Sequence, residues 1–210
     1  MRKKTSHTGH VAYFDILGYS AMNSYEQVIR VWREITNGHK AAQEALAPEC
    51  SYHLFGDSIL VFCHEPLPTD QLFLPFCLFL FLSMFAKGLP VRGAIASGEF
   101  FEDGTIWAGK PIVDAHRCAE RLGASACVAT SSAASLVAQS GGYFSIQSVR
   151  LKNSDTKLTF PVLKFLKVFD EVEIRCKFLK HGKSVDSEEV QRKMQSTLEV
   201  MKAVGTVSHE

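Results

Sequence analysis

The 210-residue chain has no CxxC spacing among its six cysteines (Cys50, Cys63, Cys77, Cys118, Cys127 and Cys176), several of which sit in apolar runs. That scatter excludes a cysteine zinc site and the disulfide framework of a small secreted domain. The thiols read as reduced packing residues of a cytoplasmic protein. Charge of one sign is also missing: the formal net charge is +1, and no basic run exceeds Arg2-Lys3-Lys4. Without a basic surface there is no electrostatic case for a nucleic-acid partner. No apolar segment follows the N-terminal basic residues, so no secretory signal is expected. Internal repeats, low-complexity tracts and long linkers are absent.

The longest apolar run, Leu72 to Ala86, contains Pro75 near its start and falls short of the roughly 20 residues a membrane-spanning helix needs. It reads as a fully buried helix or one at a hydrophobic subunit interface, and no membrane partner is expected. The remaining composition, 46% apolar and 21% charged, is that of an ordinary globular protein. A chain of this length supports one main domain with a real core. The pattern divides into residues 1–182 as that domain and 183–210 as a C-terminal amphipathic helix and tail.

Residues 10–17 run apolar to Gly18 as a central strand would, and residues 20–47 turn helical around Val28, Ile29, Val31, Trp32 and Ile35. Cys50–Phe55 and Ser58–Cys63 are two short strands joined by the tight turn Phe55-Gly56-Asp57. After the Phe-rich helix, Val91–Ser97 reads as a strand, and Asp103-Gly104 marks a second turn. Pro111–Leu122 looks helical and Ala126–Thr130 extended, with Ser131 or Ser132 capping a helix that stops before Gly141-Gly142. Strands at 143–151 and 158–168 and a polar, amphipathic helix from Ser187 to Val204 complete the order. The succession β-α-β-β-α-β with appended units predicts an α+β fold with a ferredoxin-like core, a largely antiparallel sheet flanked by helices.

Two carboxylates stand out against these apolar strands: Asp15 in Ala12-Tyr13-Phe14-Asp15-Ile16-Leu17-Gly18-Tyr19-Ser20, and Asp57 in Phe55-Gly56-Asp57-Ser58-Ile59-Leu60-Val61-Phe62. Desolvating a carboxylate is costly, so a strand-edge Asp implies a partner. In the predicted topology the end of the first strand and the following hairpin turn are neighbours, which lets the two Asp converge. Mg²⁺ and Mn²⁺ prefer oxygen ligands, often one or two carboxylates plus substrate phosphates, and the adjacent Ile16 carbonyl could add a third. Each Asp alone has a plainer reading, Asp57 as a turn residue and Asp15 as a helix cap. Arg92, beside glycines in a strand, could bind phosphate or pair with a buried acid.

These two motifs resemble the metal-binding motifs of class III nucleotidyl cyclases, F-x-D-[IL]-x-G-[FY]-[ST] and G-D-[ASC]. Two further blocks are similar in order and spacing: Leu89 to Gly98 (LPVRGAIASG), which looks like the strand R-x-G-[IA]-[AS]-x-G, and Gly109 to Arg117 (GKPIVDAHR) at the G-x-x-V-N-x-A-x-R helix start. The resemblance covers residues 10 to about 130. It implies two Mg²⁺ or Mn²⁺ ions per site held by Asp15, Ile16 and Asp57, with Asp15, Asp57 and Arg117 catalytic. It further implies substrate contacts from Phe14, Ile16, Gly18, Tyr19, His53 and Lys152, and composite sites shared by two subunits of a homodimer.

The departures matter as much. The two positions at which purine cyclases read the base hold His53 and Ile106, and the usual Asn is Val113. An apolar Ile cannot hydrogen-bond a purine edge, and a site that loses such groups changes which base it accepts. This combination is similar to the Pycsar-type bacterial pyrimidine cyclases. That resemblance implies cyclisation of UTP or CTP to a 3′,5′-cyclic monophosphate as an antiphage signal, sensed by a separate effector protein. UTP is favoured because His53 can donate to the uracil O4, with cytidylate cyclase as the alternative. A cyclase-fold protein that binds nucleotide without turnover stays open, because Val113 replaces the Asn. So does a metal-dependent phosphohydrolase, whereas the absence of a G-G-D-E-F run opposes a diguanylate-type cyclase.

Overall fold

The computed structural model describes residues 6–19, 25–64, 70–103, 106–164, 169–180 and 186–205. Its centre is β1 (Ser6–Ile16), flanked antiparallel by β3 (Ser58–His64) and β4 (Val91–Asp103). β2 (Cys50–Phe55) lies outside β3, giving the order β2-β3-β1-β4. Helix α1 (Tyr25–Leu46) links β1 to β2, and α2 (Asp70–Ala86) links β3 to β4. This is the expected α+β arrangement with a ferredoxin-like βαββαβ core and a mostly antiparallel sheet. The sheet continues through β6 (Cys127–Ala129), parallel to β4, then β8 (Lys157–Leu163) and β7 (Phe144–Arg150).

β4 runs six residues beyond the expected strand end because Phe100 to Asp103 pair with β5 (Ile106–Gly109) in a hairpin. Helix α3 (Lys110–Arg121) follows directly, with Pro111 in its first turn, where a missing N–H costs nothing. The helix expected to be capped by Ser131 or Ser132 is α4 (Ala134–Gln139), entered through a 3₁₀ turn at Ser131–Ala133. No serine caps it; the Ser132 hydroxyl instead accepts from the Ser97 N–H at 3.1 Å. One helix has no counterpart in the sequence reading: α5 (Glu171–Leu179), opened by a capping box in which Asp170 accepts from the Glu173 N–H and Glu173 from the Asp170 N–H. The final helix is α6 (Glu188–Gly205).

Because β1 is covered on both sides, its alternate residues enter different cores. Ala12, Phe14 and Ile16 face the layer built on α2, while Val11 and Tyr13 face α3 and the end of α6. α2 is apolar on all sides, and Phe73, Leu74, Phe76, Cys77, Leu80, Phe81, Met84 and Phe85 are all buried. Each such side chain is worth about 1.5–3 kcal/mol when fully buried. Among the described residues, no helix is long and apolar enough to cross a membrane. All six cysteines are free thiols, and burial pushes those of Cys77 and Cys127 well above the ordinary range.

A third apolar cluster joins the ends of the chain. Leu17, just past β1, packs with Phe85, with Ile174 and Phe178 of α5, and with Met194 and Leu198 of α6. α6 is also tied to the sheet by the Ser125 N–H, which donates to Thr197 Oγ1 at 2.8 Å. The helix assigned to residues 183–210 is therefore packed into the same body as the rest of the chain.

Candidate active site

Asp15 is the penultimate residue of β1 and stands opposite Ser58, the first residue of β3. The turn carrying Asp57 is bonded to the same point, since the Ile16 N–H donates to the Asp57 carbonyl at 3.1 Å. Gly56 supplies the turn with a left-handed backbone (φ 57), and Gly18 does so where the chain leaves β1 (φ 74). These local requirements bring both carboxylates to one cleft of about 610 Å³.

Six of the expected site residues line that cleft: Asp15, Ile16, Gly18, Tyr19, Asp57 and Lys152. Lys152 is held at the end of β7, where its N–H donates to the Arg121 carbonyl at 2.7 Å. Asn153 takes the left-handed conformation (φ 54) for which a glycine is the usual choice, and Asn is among the few other residues that tolerate it.

Three expected site residues lie elsewhere. Phe14 points to the opposite face of β1 and is buried in the core. A Cβ on Gly93 would come within 2.5 Å of the Phe14 ring, so this aromatic is a packing residue rather than a substrate contact. His53 lies among other groups: its Nε2 is 2.9 Å from Glu102 Oε1, and its ring centroid is 4.3 Å from that of Trp107, with the planes tilted by 45°. Tyr52 projects to the other face, as strand alternation demands, and its hydroxyl donates to the Thr36 carbonyl at 3.3 Å. Arg117 is exposed on α3, one turn after the exposed Val113, and does not reach the cleft of its own chain. Ile106 is also exposed, at 61%.

The structure settles the two readings of Arg92 in favour of an acid partner, and the acid is Asp15. Nε and Nη2 lie 2.8 and 2.7 Å from Asp15 Oδ2, while Nη1 donates to the carbonyls of Glu120 (2.8 Å) and Leu122 (3.3 Å). Both contacts to the carboxylate fall on one oxygen, so the pair does not use Oδ1. Burial raises the pKa of Asp15; Arg92 opposes this, and the nearby Asp57 and Glu120 charges add to it. Arg92 outweighs those two negative charges but does not offset the burial of the carboxylate.

Sequence reasoning missed several further lining groups. Tyr13 shares a 2.8 Å hydrogen bond with Ser58, and burial raises its pKa. His116 meets the Tyr13 ring edge-on with centroids 4.9 Å apart, and Glu120 lies one turn further along α3. Phe178, Ser187, Glu189, Val190 and Lys193 bring α5 and α6 to the cleft. The helical spacing of His116 and Glu120 beside Arg117 was a usable signal; the approach of α6 was not.

As a cation site the cleft is chemically suitable. Asp15 and Asp57, from adjacent strand ends, are carboxylates of the kind Mg²⁺ and Mn²⁺ take, although among the described residues no group of three His, Cys, Asp or Glu is placed to hold a metal by itself. Asp15 repelled by Asp57 and Glu120 is a group that a divalent ion would stabilise.

No protein-family model matches the chain. No curated protein matches it at a significant level. Solved structures do. The catalytic core of a rhodopsin-guanylyl cyclase with converted specificity, in complex with ATPαS, aligns over 77% of this chain and 97% of its own, with a TM-score of 0.61 at 14% identity. The adenylyl cyclase CyaB from P. aeruginosa aligns over 80% and 100%, with a TM-score of 0.53 at 14% identity. A bacterial light-regulated adenylyl cyclase aligns over 97% of this chain and 58% of its own, with a TM-score of 0.57 at 8% identity. The chain thus has the fold of nucleotidyl cyclase catalytic domains.

Proposed function

We propose that this protein is a nucleotide cyclase that converts UTP to 3′,5′-cyclic UMP and pyrophosphate. The observation that carries this is the convergence of Asp15 and Asp57 on one cleft, with Lys152 at its wall, in a chain of cyclase fold. Asp15, Asp57 and the Ile16 carbonyl would hold Mg²⁺ or Mn²⁺, which when bound supplies Lewis acidity to the 3′-hydroxyl and neutralises the triphosphate. The 3′-oxygen attacks the α-phosphorus and loses its proton, the bond from that phosphorus to the bridging oxygen breaks, and pyrophosphate leaves. Lys152 holds phosphate charge. The exposed position of Arg117 beside Val113, with Phe55 and Ile106 also exposed, fits a homodimer in which the partner subunit's Arg117 completes the site.

His53 does not line the cleft of its own chain, so it reads a pyrimidine only in a site shared between two subunits, and its contact with Glu102 sets how. A carboxylate that accepts from Nε2–H leaves Nδ1 of a neutral ring as an acceptor, suited to the uracil N3–H. Donation to the uracil O4 then requires the doubly protonated ring. An acceptor at Nδ1 also suits the amino group of cytosine, so cytidylate cyclase is the second specificity. The biological setting we infer is a cytoplasmic antiphage signal read by an effector protein. A non-catalytic nucleotide-binding role is favoured only by Val113 and by the engagement of Asp15 with Arg92.

The test is incubation of the protein with Mn²⁺ and each of ATP, GTP, CTP and UTP, resolving products by chromatography and mass, with Asp57→Ala as the blank. Cyclic UMP is the expected product. A cyclic purine would overturn the specificity, and no product from a folded dimer would overturn the activity.

A further inference from the structure

The cleft holds a cation that the proposed reaction has not yet used. Lys193 of α6 lines it together with Asp15, Asp57 and Lys152, and its side chain is only 16% exposed. A partly covered lysine at a cleft wall is stabilised by charge partners. Among the described residues its ionic partner is Glu189, one helical turn earlier, whose own side chain is 61% exposed. Lys193 and Glu189 both line the cleft, with the cation much more covered than its carboxylate partner, so the pair stands where an incoming anion can compete for the ammonium. Lys193 also lowers the pKa of Glu189, to which Lys152 adds, so the three charges sense one another.

The placement is rigid. Lys193 immediately precedes Met194, which is packed against Leu17 at the end of β1. One turn further on, Thr197 accepts the Ser125 N–H at 2.8 Å and donates to the Lys193 carbonyl at 2.8 Å. The side chain is therefore delivered by a helix locked to the sheet and not by a loop.

We propose that Lys193 binds the triphosphate, with Lys152, at the end of the nucleotide that leaves as pyrophosphate. The inference rests on the reading of the cleft as a nucleoside triphosphate site. Glu189 is the resting counter-ion, exchanged for phosphate oxygens when substrate enters. Lysine suits this task because a mobile ammonium can follow a leaving group with three donors. Arg92 is unsuited while it is bound to Asp15 and two carbonyls.

Binding of inorganic tripolyphosphate to the 210-residue chain with Mn²⁺, measured by calorimetry, separates this inference from the reaction itself. Lys193→Met should weaken binding by about tenfold or more, the loss expected for one charge-assisted contact. Lys193→Arg should recover most of it. Lys202→Met, which removes an exposed lysine paired with Glu171, should bind as the wild type does. In turnover, Lys193→Met should raise KM for the nucleotide more than it lowers kcat. As a check that needs no variant, tripolyphosphate should protect Lys193 of the wild type from amine-reactive labelling while Lys202 stays reactive. Unchanged labelling of Lys193, or Lys193→Met binding within twofold of wild type, would overturn the proposal. Protection of Lys193 in a protein that cyclises no nucleotide would uphold it and reject the reaction.

Discussion

Replacing Arg92 with Met leaves the buried Asp15 carboxylate facing Asp57 and Glu120 with no cation against it. The Arg92 and Asp15 side chains are 8% and 11% exposed, so solvent screens the pair weakly. Removing one member of a buried pair costs about 3–5 kcal/mol, chiefly because a charge is left uncompensated. Two carbonyl contacts, to Glu120 and Leu122, are lost with it. For a chain of this length each kcal/mol moves the melting temperature by about 2–4 °C, so Arg92→Met should melt roughly 10 °C lower in chelator. Mn²⁺ should then raise the melting temperature of the variant more than that of the wild type, because the ion meets a carboxylate already free of its guanidinium. A metal at one hundred times its dissociation constant contributes about 2.7 kcal/mol, enough to recover a large part of the loss. Adding Asp15→Asn to Arg92→Met should restore stability in chelator and abolish the Mn²⁺ response. Melting followed by circular dichroism, with and without Mn²⁺, checks all three. A single variant that melts within about 2 °C of wild type, or responds to Mn²⁺ no more than wild type, would refute the idea that Arg92 and metal serve the same carboxylate.

Three further outcomes are expected. Burial, helped by Lys87, lowers the pKa of His39 from 6.5 to about 4. The unfolded chain therefore binds more protons between those values, and stability rises with pH through this window and is lost as pH falls through it, by about 3 kcal/mol in all. Denaturant midpoints at pH 7.5 and pH 4.5 measure the loss, which His39→Gln should largely remove. Gly93→Ala places a Cβ 2.5 Å from the Phe14 ring and should cost about 1–3 kcal/mol in denaturant unfolding, with Phe14→Leu partly compensating. Asp170→Ala breaks the capping box of α5 and should cost about 1 kcal/mol in the same assay, whereas Asp155→Ala, at a 97% exposed side chain, should cost less than about 0.5 kcal/mol.

Much of the core was legible because its signals are local. The alternation and turn residues around Asp57 define β2 and β3 to within a residue, and the nearness of the end of β1 to the Asp57 turn follows from the βαββαβ order. Phe14 was misplaced for a physical reason: a strand buried on both faces is apolar throughout, so its pattern does not tell which residue faces which layer. α5 was missed because Val172 and Ile174 alternate as in a strand, and only the Asp170–Glu173 box marks the helix start. The contact of His53 with Glu102 joins strands that are not neighbours in the sheet, and the approach of Lys193 to Asp15 spans most of the chain. No spacing rule reaches that far. The acidic pair was readable for the opposite reason, since a carboxylate in an apolar strand is conspicuous wherever its partner lies.

The apolar sequence of α2, which among the described residues leaves only Leu72, Ala86 and a half-buried strip at the surface, also bears on how the chain reaches its native state. Phe73, Phe76, Phe81 and Phe85 have no solvent-facing side to present while α1 and the sheet are still unformed. Until both have closed over it, residues 70–86 are an adhesive segment, and folding competes with self-association. Refolding yield from denaturant should therefore fall steeply with protein concentration, and slow synthesis or a chaperone that shields this one segment should restore it.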